Sequence, residues 1–162
     1  MKYVIRQKIF SFGDKFTIRD ENGNDCYQVK GKVFSFGDKL RIYDMDGKEL
    51  IYIEQKLFRF LPEYSIYYSG QLYAVVKKEF TLLRPKFQIH GVHADYRVEG
   101  NVWAMDFTVL RDARPAAYVS KRWFALADSY GVEISDEENP VFMLALVIVI
   151  DQVLHDNNHN NG

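Results

Sequence analysis

Four basic side chains crowd into one ten-residue stretch: Lys77, Lys78, Arg84 and Lys86, interleaved with Phe80 and Phe87. Ammonium and guanidinium groups gathered in this way are suited to holding phosphate, and each is worth about 1 kcal/mol beside an anionic membrane surface. Arg84 and Lys86 stand two residues apart, so on a strand they would share one face and could reach one phosphate together. The bland reading is a solvated strand edge, where lysine prevents edge-to-edge pairing.

Other groupings offer less chemistry. His90-Gly-Val-His93 would point its two imidazoles to opposite faces of a strand, and Cys26 is the only thiol. A metal site needs three or four converging ligands. The turns Asp20-Glu-Asn-Gly-Asn-Asp25 and Asp44-Met-Asp-Gly47 resemble calcium loops superficially. An EF-hand needs Gly at its sixth position and Glu at its twelfth. Counted from Asp20, those positions hold Asp25 and Gly31. Asp and Asn here read as side chains that close turns onto their own backbone. No Gly-x-Ser-x-Gly elbow, phosphate-cradling glycine loop or His-Glu-x-x-His helix is present. The expectation is a chain with no catalytic residues, no metal and no cofactor, and hence not an enzyme. Asp151 is expected near the rim of the fold, within reach of water or a cation, with Lys121 or Arg122 as partners.

The elements that must position these groups are set by a duplication. Residues 9–32 and 33–56 are one 24-residue unit written twice without a gap, with ten identical positions. A fixed period marks a supersecondary unit used more than once. Within each copy apolar residues alternate: Phe10/Phe12, Phe16/Ile18 and Tyr27/Val29, then Phe34/Phe36, Leu40/Ile42 and Ile51/Ile53. Gly13-Asp14 and Gly37-Asp38, then Gly23 and Gly47, interrupt the alternation. This is the pattern of short half-buried strands joined by hairpin turns. A worn third copy begins at Leu57-Phe-Arg-Phe60, continues as Tyr64-Ser-Ile66 and turns at Ser69-Gly70. Further strand-like pieces follow at Leu72–Val76, Phe80–Leu83, Lys86–Ile89, Asp95–Glu99, Ala104–Leu110, Ala117–Ser120 and Gly131–Ser135. Strands this numerous and closely spaced indicate a sandwich or barrel.

At Asp136-Glu-Glu-Asn139-Pro140 the pattern changes to a helix start, with Asn as N-cap and Pro at the first helical position. The run Val141–Ile150 is apolar on every face, so a helix over about 140–155 must be enclosed on every side. A closed antiparallel barrel of more than eight strands, too wide for its own side chains to fill, provides that enclosure. The β-residues of the repeats would then face inward onto the helix. The reading is a single domain over 1–156 with residues 157–162 as a disordered tail.

The 162 residues carry a net charge of −1, which argues against nucleic acid as a partner. The longest apolar run is about half of what a membrane-spanning helix needs. One cysteine and no leader pattern suit a cytoplasmic setting, with peripheral contact to a membrane left open.

The chain resembles the LURP-one-related family in its bacterial, YxjI-like branch. The resemblance rests on Phe16–Gly23 and Leu40–Gly47, Val29-Lys-Gly-Lys32, Ser120-Lys-Arg-Trp123, Asp128-Ser-Tyr-Gly131 and the helix ending Ala145–Asp151. It implies the tubby C-terminal-like fold, a twelve-stranded antiparallel barrel around a hydrophobic C-terminal helix. It also implies a distant relationship to phospholipid scramblases, whose acidic calcium segment and cysteine clusters are absent here. The helix-filled barrel, the absent catalytic motifs and the Lys77–Lys86 cluster lead to the functional expectation of a non-enzymatic binding or scaffold protein, with anionic phospholipid or phosphoinositide head groups as ligand. The alternative is an adaptor for a protein partner, presenting exposed aromatics such as Tyr64, Tyr67, Tyr68 and Tyr73.

Overall fold

Among the described residues each copy of the duplicated unit contributes a two-stranded hairpin, and the third copy does the same. The computed structural model describes residues 1–6, 15–32, 39–57, 60–123 and 129–159. The expected strands at Phe10–Phe12 and Phe34–Phe36, the turns at Gly13 and Gly37, Phe58 and Asp128 lie outside the described residues. The first hairpin joins β2 (Lys15–Asp20) to β3 (Asp25–Lys32), and the second joins β4 (Lys39–Tyr43) to β5 (Glu49–Gln55). The third joins β6 (Glu63–Tyr68) to β7 (Gln71–Glu79).

All three hairpins carry the same irregularity. The pairing shifts after Ile18, after Ile42 and after Ile66, at intervals equal to the repeat length. A bulge at one fixed place bends each hairpin by the same device, which helps curve the sheet towards closure. The third turn has lost a residue and uses Ser69 and Gly70 at positive φ, the geometry that suits a two-residue hairpin loop. The bulge thus outlasts the sequence likeness that first marked the repeat.

The remaining strands are β1 (Lys2–Arg6), β8 (Lys86–Gly91), β9 (Asp95–Asn101), β10 (Asp106–Arg111), β11 (Arg114–Ser120) and β12 (Ser129–Ile134). Among the described residues these make a twelve-stranded barrel in which every strand pairs antiparallel with its sequence neighbour. β1 closes it against β12, with Tyr3 opposite Val132 and Ile5 opposite Tyr130. Inward rows such as Ile18, Val29, Ile42, Ile51, Ile66 and Val76 are almost fully buried.

Helix α1 (Pro140–His159) fills the interior. Asn139 is its cap: the Oδ1 accepts from the Phe142 N–H at 3.2 Å. Every residue from Val141 to Leu154 is at most 4% exposed. The helix packs on β5, β6 and β7 on one side and on β11 and β12 on the other. It runs four residues beyond its expected end near 155, because no Gly or Pro intervenes before Gly162 to stop it. Residues 157–159 of the expected tail therefore belong to the helix.

Alternating strand direction gives the barrel two rims. The entry rim carries the β2–β3, β4–β5, β6–β7, β8–β9 and β10–β11 turns together with the start of α1. The far rim carries the β5–β6, β7–β8 and β9–β10 connections. Phe142, near the helix start, meets Tyr73 at the entry-rim end of β7, with ring centroids 4.6 Å apart. Asp151, nine residues or about two and a half turns later, meets Tyr130 at the far-rim end of β12.

One expected strand is absent. Phe80–Leu83 is an irregular loop between β7 and β8. Pro85 has no backbone N–H to give to a ladder, and β8 begins only at Lys86.

Candidate functional site

The four basic residues lie at the far rim on β7, β8 and the loop that joins them. Strand parity separates the first two. Ala74 and Val76 belong to the inward row of β7, so Lys78 continues that row at the barrel mouth, opposite the buried Phe87. Lys78 is half-buried, and burial lowers its pKa. Lys77 points outward, is half exposed, and pairs with Glu63 across β6–β7 at 3.4 Å. Lys86 is exposed at the start of β8, beside Glu79.

The expectation that Arg84 and Lys86 share a strand face is corrected. Arg84 lies before the strand, in a loop closed by the Thr81 hydroxyl donating to the Arg84 carbonyl. Its exposed guanidinium belongs to the loop, not to the β8 face. Between the basic groups stand Phe80, Leu82 and Leu83, exposed by 72%, 90% and 93%. Reading Phe80–Leu83 as a strand concealed this apolar tip. The signal available was Leu-Leu-Arg-Pro, which ends on a residue poorly suited to continue a ladder.

Asp151 is not at a wet rim. It is 1% exposed and accepts from the Tyr130 hydroxyl at 3.3 Å. Burial pushes its carboxyl up to about 7, and the Tyr130 hydrogen bond and the Lys121 charge offset only part of that rise. Arg122, the other expected partner, turns to Asp106 at 3.1 Å. A carboxyl enclosed by helix and sheet is placed to govern stability more than to meet a ligand.

The two histidines do not share a strand, because β8 ends at Gly91 and His93 lies in the β8–β9 turn. His90 Nδ1 lies 3.3 Å from Asp95 Oδ1, while the His93 ring meets Tyr73 edge-on at 5.5 Å. No group of three metal-ligating side chains is found among the described residues. The acidic turns act on their own backbone. Asp20 Oδ1 accepts from the N–H groups of Asn22 and Asn24, and Asp44 Oδ1 accepts from those of Asp46 and Lys48. The Asn24 side chain, followed by backbone donors, holds the Asp20 carboxyl below its ordinary pKa.

The aromatic surface differs from expectation too. Tyr64 is fully buried, and Tyr68 and Tyr73 pack against the core. Inward parity took them. Tyr67 alone of the four lies in an outward row, stacked on Tyr52 at 5.8 Å. Arg41 caps Tyr52 at 4.6 Å, and Lys30 lies over Tyr43 at 4.9 Å. No helix among the described residues is long and apolar enough to cross a membrane.

Comparisons with known proteins agree with this architecture. The chain is 37% identical over 156 residues to the uncharacterised protein YxjI of Bacillus subtilis (strain 168), covering 96% of this chain and 95% of that one. Its fold is similar to a solved structure of an Arabidopsis thaliana protein, with a TM-score of 0.68, 20% identity, and 94% and 91% of the two chains covered. The profile of the LURP-one-related family matches residues 1–151, from β1 through the buried turns of α1. This protein belongs to the LURP-one-related family.

Proposed function

We propose that this chain is a non-enzymatic binding protein that engages anionic phospholipid head groups at its far rim, as a peripheral protein. One observation carries the reading. Between Lys77 and Lys86 there are four basic side chains and one acid, on one rim of a chain whose net charge is −1. Arg84 and Lys86 are solvent-facing with no ion pair among the described contacts, so their charge is available to an external anion. The reading as a non-enzyme draws on the helix, whose residues occupy the interior where a barrel would otherwise hold a pocket.

Vesicle co-sedimentation tests it. Binding should rise with anionic lipid, fall with salt, and drop about tenfold or more for Arg84→Glu with Lys86→Glu, since each reversal removes and then opposes about 1 kcal/mol of attraction. Equal binding to neutral and anionic vesicles would defeat the proposal.

A second reading, an adaptor for a protein partner, draws on the outward row Lys30, Arg41, Tyr52 and Tyr67, which are cross-strand neighbours on β3 to β6. Stacked aromatics capped by cations suit an interface. A cross-linked partner lost on Tyr67→Ala but kept on Lys86→Glu would favour this face over the rim.

A further inference from the structure

Basic side chains account for only part of the β7–β8 loop. Its tip presents Leu82 and Leu83 at 90% and 93% exposure, with Phe80 at 72% beside them. Phe60, on the neighbouring β5–β6 connection, is 95% exposed. The base of the β7–β8 loop is tied to that connection, because the Lys78 N–H donates to the Pro62 carbonyl at 3.1 Å. The loop is held in shape by the Thr81 hydroxyl bonded to the Arg84 carbonyl across the two leucines, and Pro85 fixes the exit. Single exposed apolar residues are ordinary, whereas large ones grouped at a braced tip mark a contact surface.

The surrounding charge says what kind of surface. Lysine is depleted from the cores of protein–protein interfaces, yet Lys77, Lys78 and Lys86 flank this tip together with Arg84. Long basic side chains around an apolar wedge fit a lipid interface, where the stems lie along acyl chains and the heads reach the phosphates. We infer that the Phe80–Leu83 loop inserts into the surface layer of an anionic bilayer, with Leu82 and Leu83 among the acyl chains and the basic groups at phosphate level. The inference rests on the head-group reading and adds depth to it: contact is apolar as well as electrostatic.

The test uses the full chain carrying Cys26→Ser and Leu82→Cys, labelled at the new thiol with an environment-sensitive dye. Vesicles contain phosphatidylcholine with about one quarter phosphatidylglycerol, an anionic surface of the kind that attracts basic segments. Insertion predicts a blue-shifted emission, quenching by brominated acyl chains, and partitioning weakened at least about tenfold by Leu82→Gln with Leu83→Gln. Both leucines are solvent-facing, so this variant should melt like the parent; the dye measurement stands if it does not. Salt-sensitive binding with no blue shift and no loss in the glutamine variant overturns insertion and leaves head-group binding standing. Loss in the glutamine variant with indifference to Arg84→Glu and Lys86→Glu overturns the head-group reading instead. No binding to any vesicle overturns both. A vesicle-free dimer that the glutamine variant dissociates assigns the tip to a second copy of the chain and also overturns insertion.

Discussion

The two rims of this barrel are built from the same strands and end in opposite chemistry. At the entry rim, turns are short and are closed by their own side chains, with Asp20 and Asp44 each gathering backbone N–H groups. The exposed large apolar residues there, Met1, Met45, Leu72 and Val92, come one to a turn or terminus. At the far rim the single β7–β8 loop carries three, Phe80, Leu82 and Leu83, with Phe60 on the connection tied to its base. A turn that satisfies its own polar groups has nothing left to offer a partner. A loop that leaves leucines in water and surrounds them with cations does. That difference is why the proposed membrane contact is assigned to the far rim and not to the entry rim.

The helix joins the rims, and its removal is the severest way to break the comparison. Ending the chain before Pro140 exposes the inward rows from Ile5 to Ile134, an apolar area beyond what soluble monomers tolerate. The expected product aggregates and shows no cooperative melt by calorimetry. A monomeric truncation that melts sharply would refute the central role of α1.

The next effect in size concerns Asp151, on the far-rim side of the helix. Its folded carboxyl keeps a proton up to about pH 7, against an ordinary value of 3.8. Between those values the folded state binds more protons than the unfolded one. The stability from this group is therefore full below about pH 4 and is lost as pH rises through 7. Asp151→Asn, which can still accept from Tyr130, should flatten that fall and raise stability at pH 8, by an amount on the order of 4 kcal/mol at most. Urea unfolding at pH 5 and pH 8 measures it. An unaltered pH slope in the variant would mean that other groups carry the dependence.

A smaller effect lies in the far-rim wall. A Cβ at Gly31 would sit 2.2 Å from Leu40 Cδ2 and 2.5 Å from the Lys39 carbonyl oxygen, so β3 and β4 can approach there only with glycine. Gly31→Ala should cost about 1–3 kcal/mol through forced displacement and lower the melting temperature. Equal melting of Gly31→Ala and the parent would show that the wall yields freely.

Least in size is Asp44→Ala at the entry rim, expected to cost about 1 kcal/mol by loss of two turn hydrogen bonds. Vesicle binding should be unchanged in this variant. A binding defect there would erase the division of labour between the rims.

The duplicated unit, its alternation and the capped apolar helix were sufficient to specify a closed β-barrel wrapped around α1. The reason is that period-2 burial and an all-apolar helix each admit few enclosures. The bulges after Ile18, Ile42 and Ile66 were invisible, because a register shift depends on the partner strand, which local pattern does not name. Tyr64 and Tyr67 show the same limit. Both are aromatic and three residues apart, yet one is core and the other faces outward, a choice made by strand parity.

The candidate site was legible as a count of charges and illegible as a shape. Lys77, Lys78, Arg84 and Lys86 stood out by type, since cations clustered in a weakly acidic chain are conspicuous without coordinates. Only the tertiary structure turned Lys78 into the barrel mouth, paired Lys77 with Glu63, and lifted Leu82 and Leu83 into solvent between them. Exposure is a property of neighbours distant in sequence. Composition and period determine what must be buried, while the closing of strand on strand decides what is left outside.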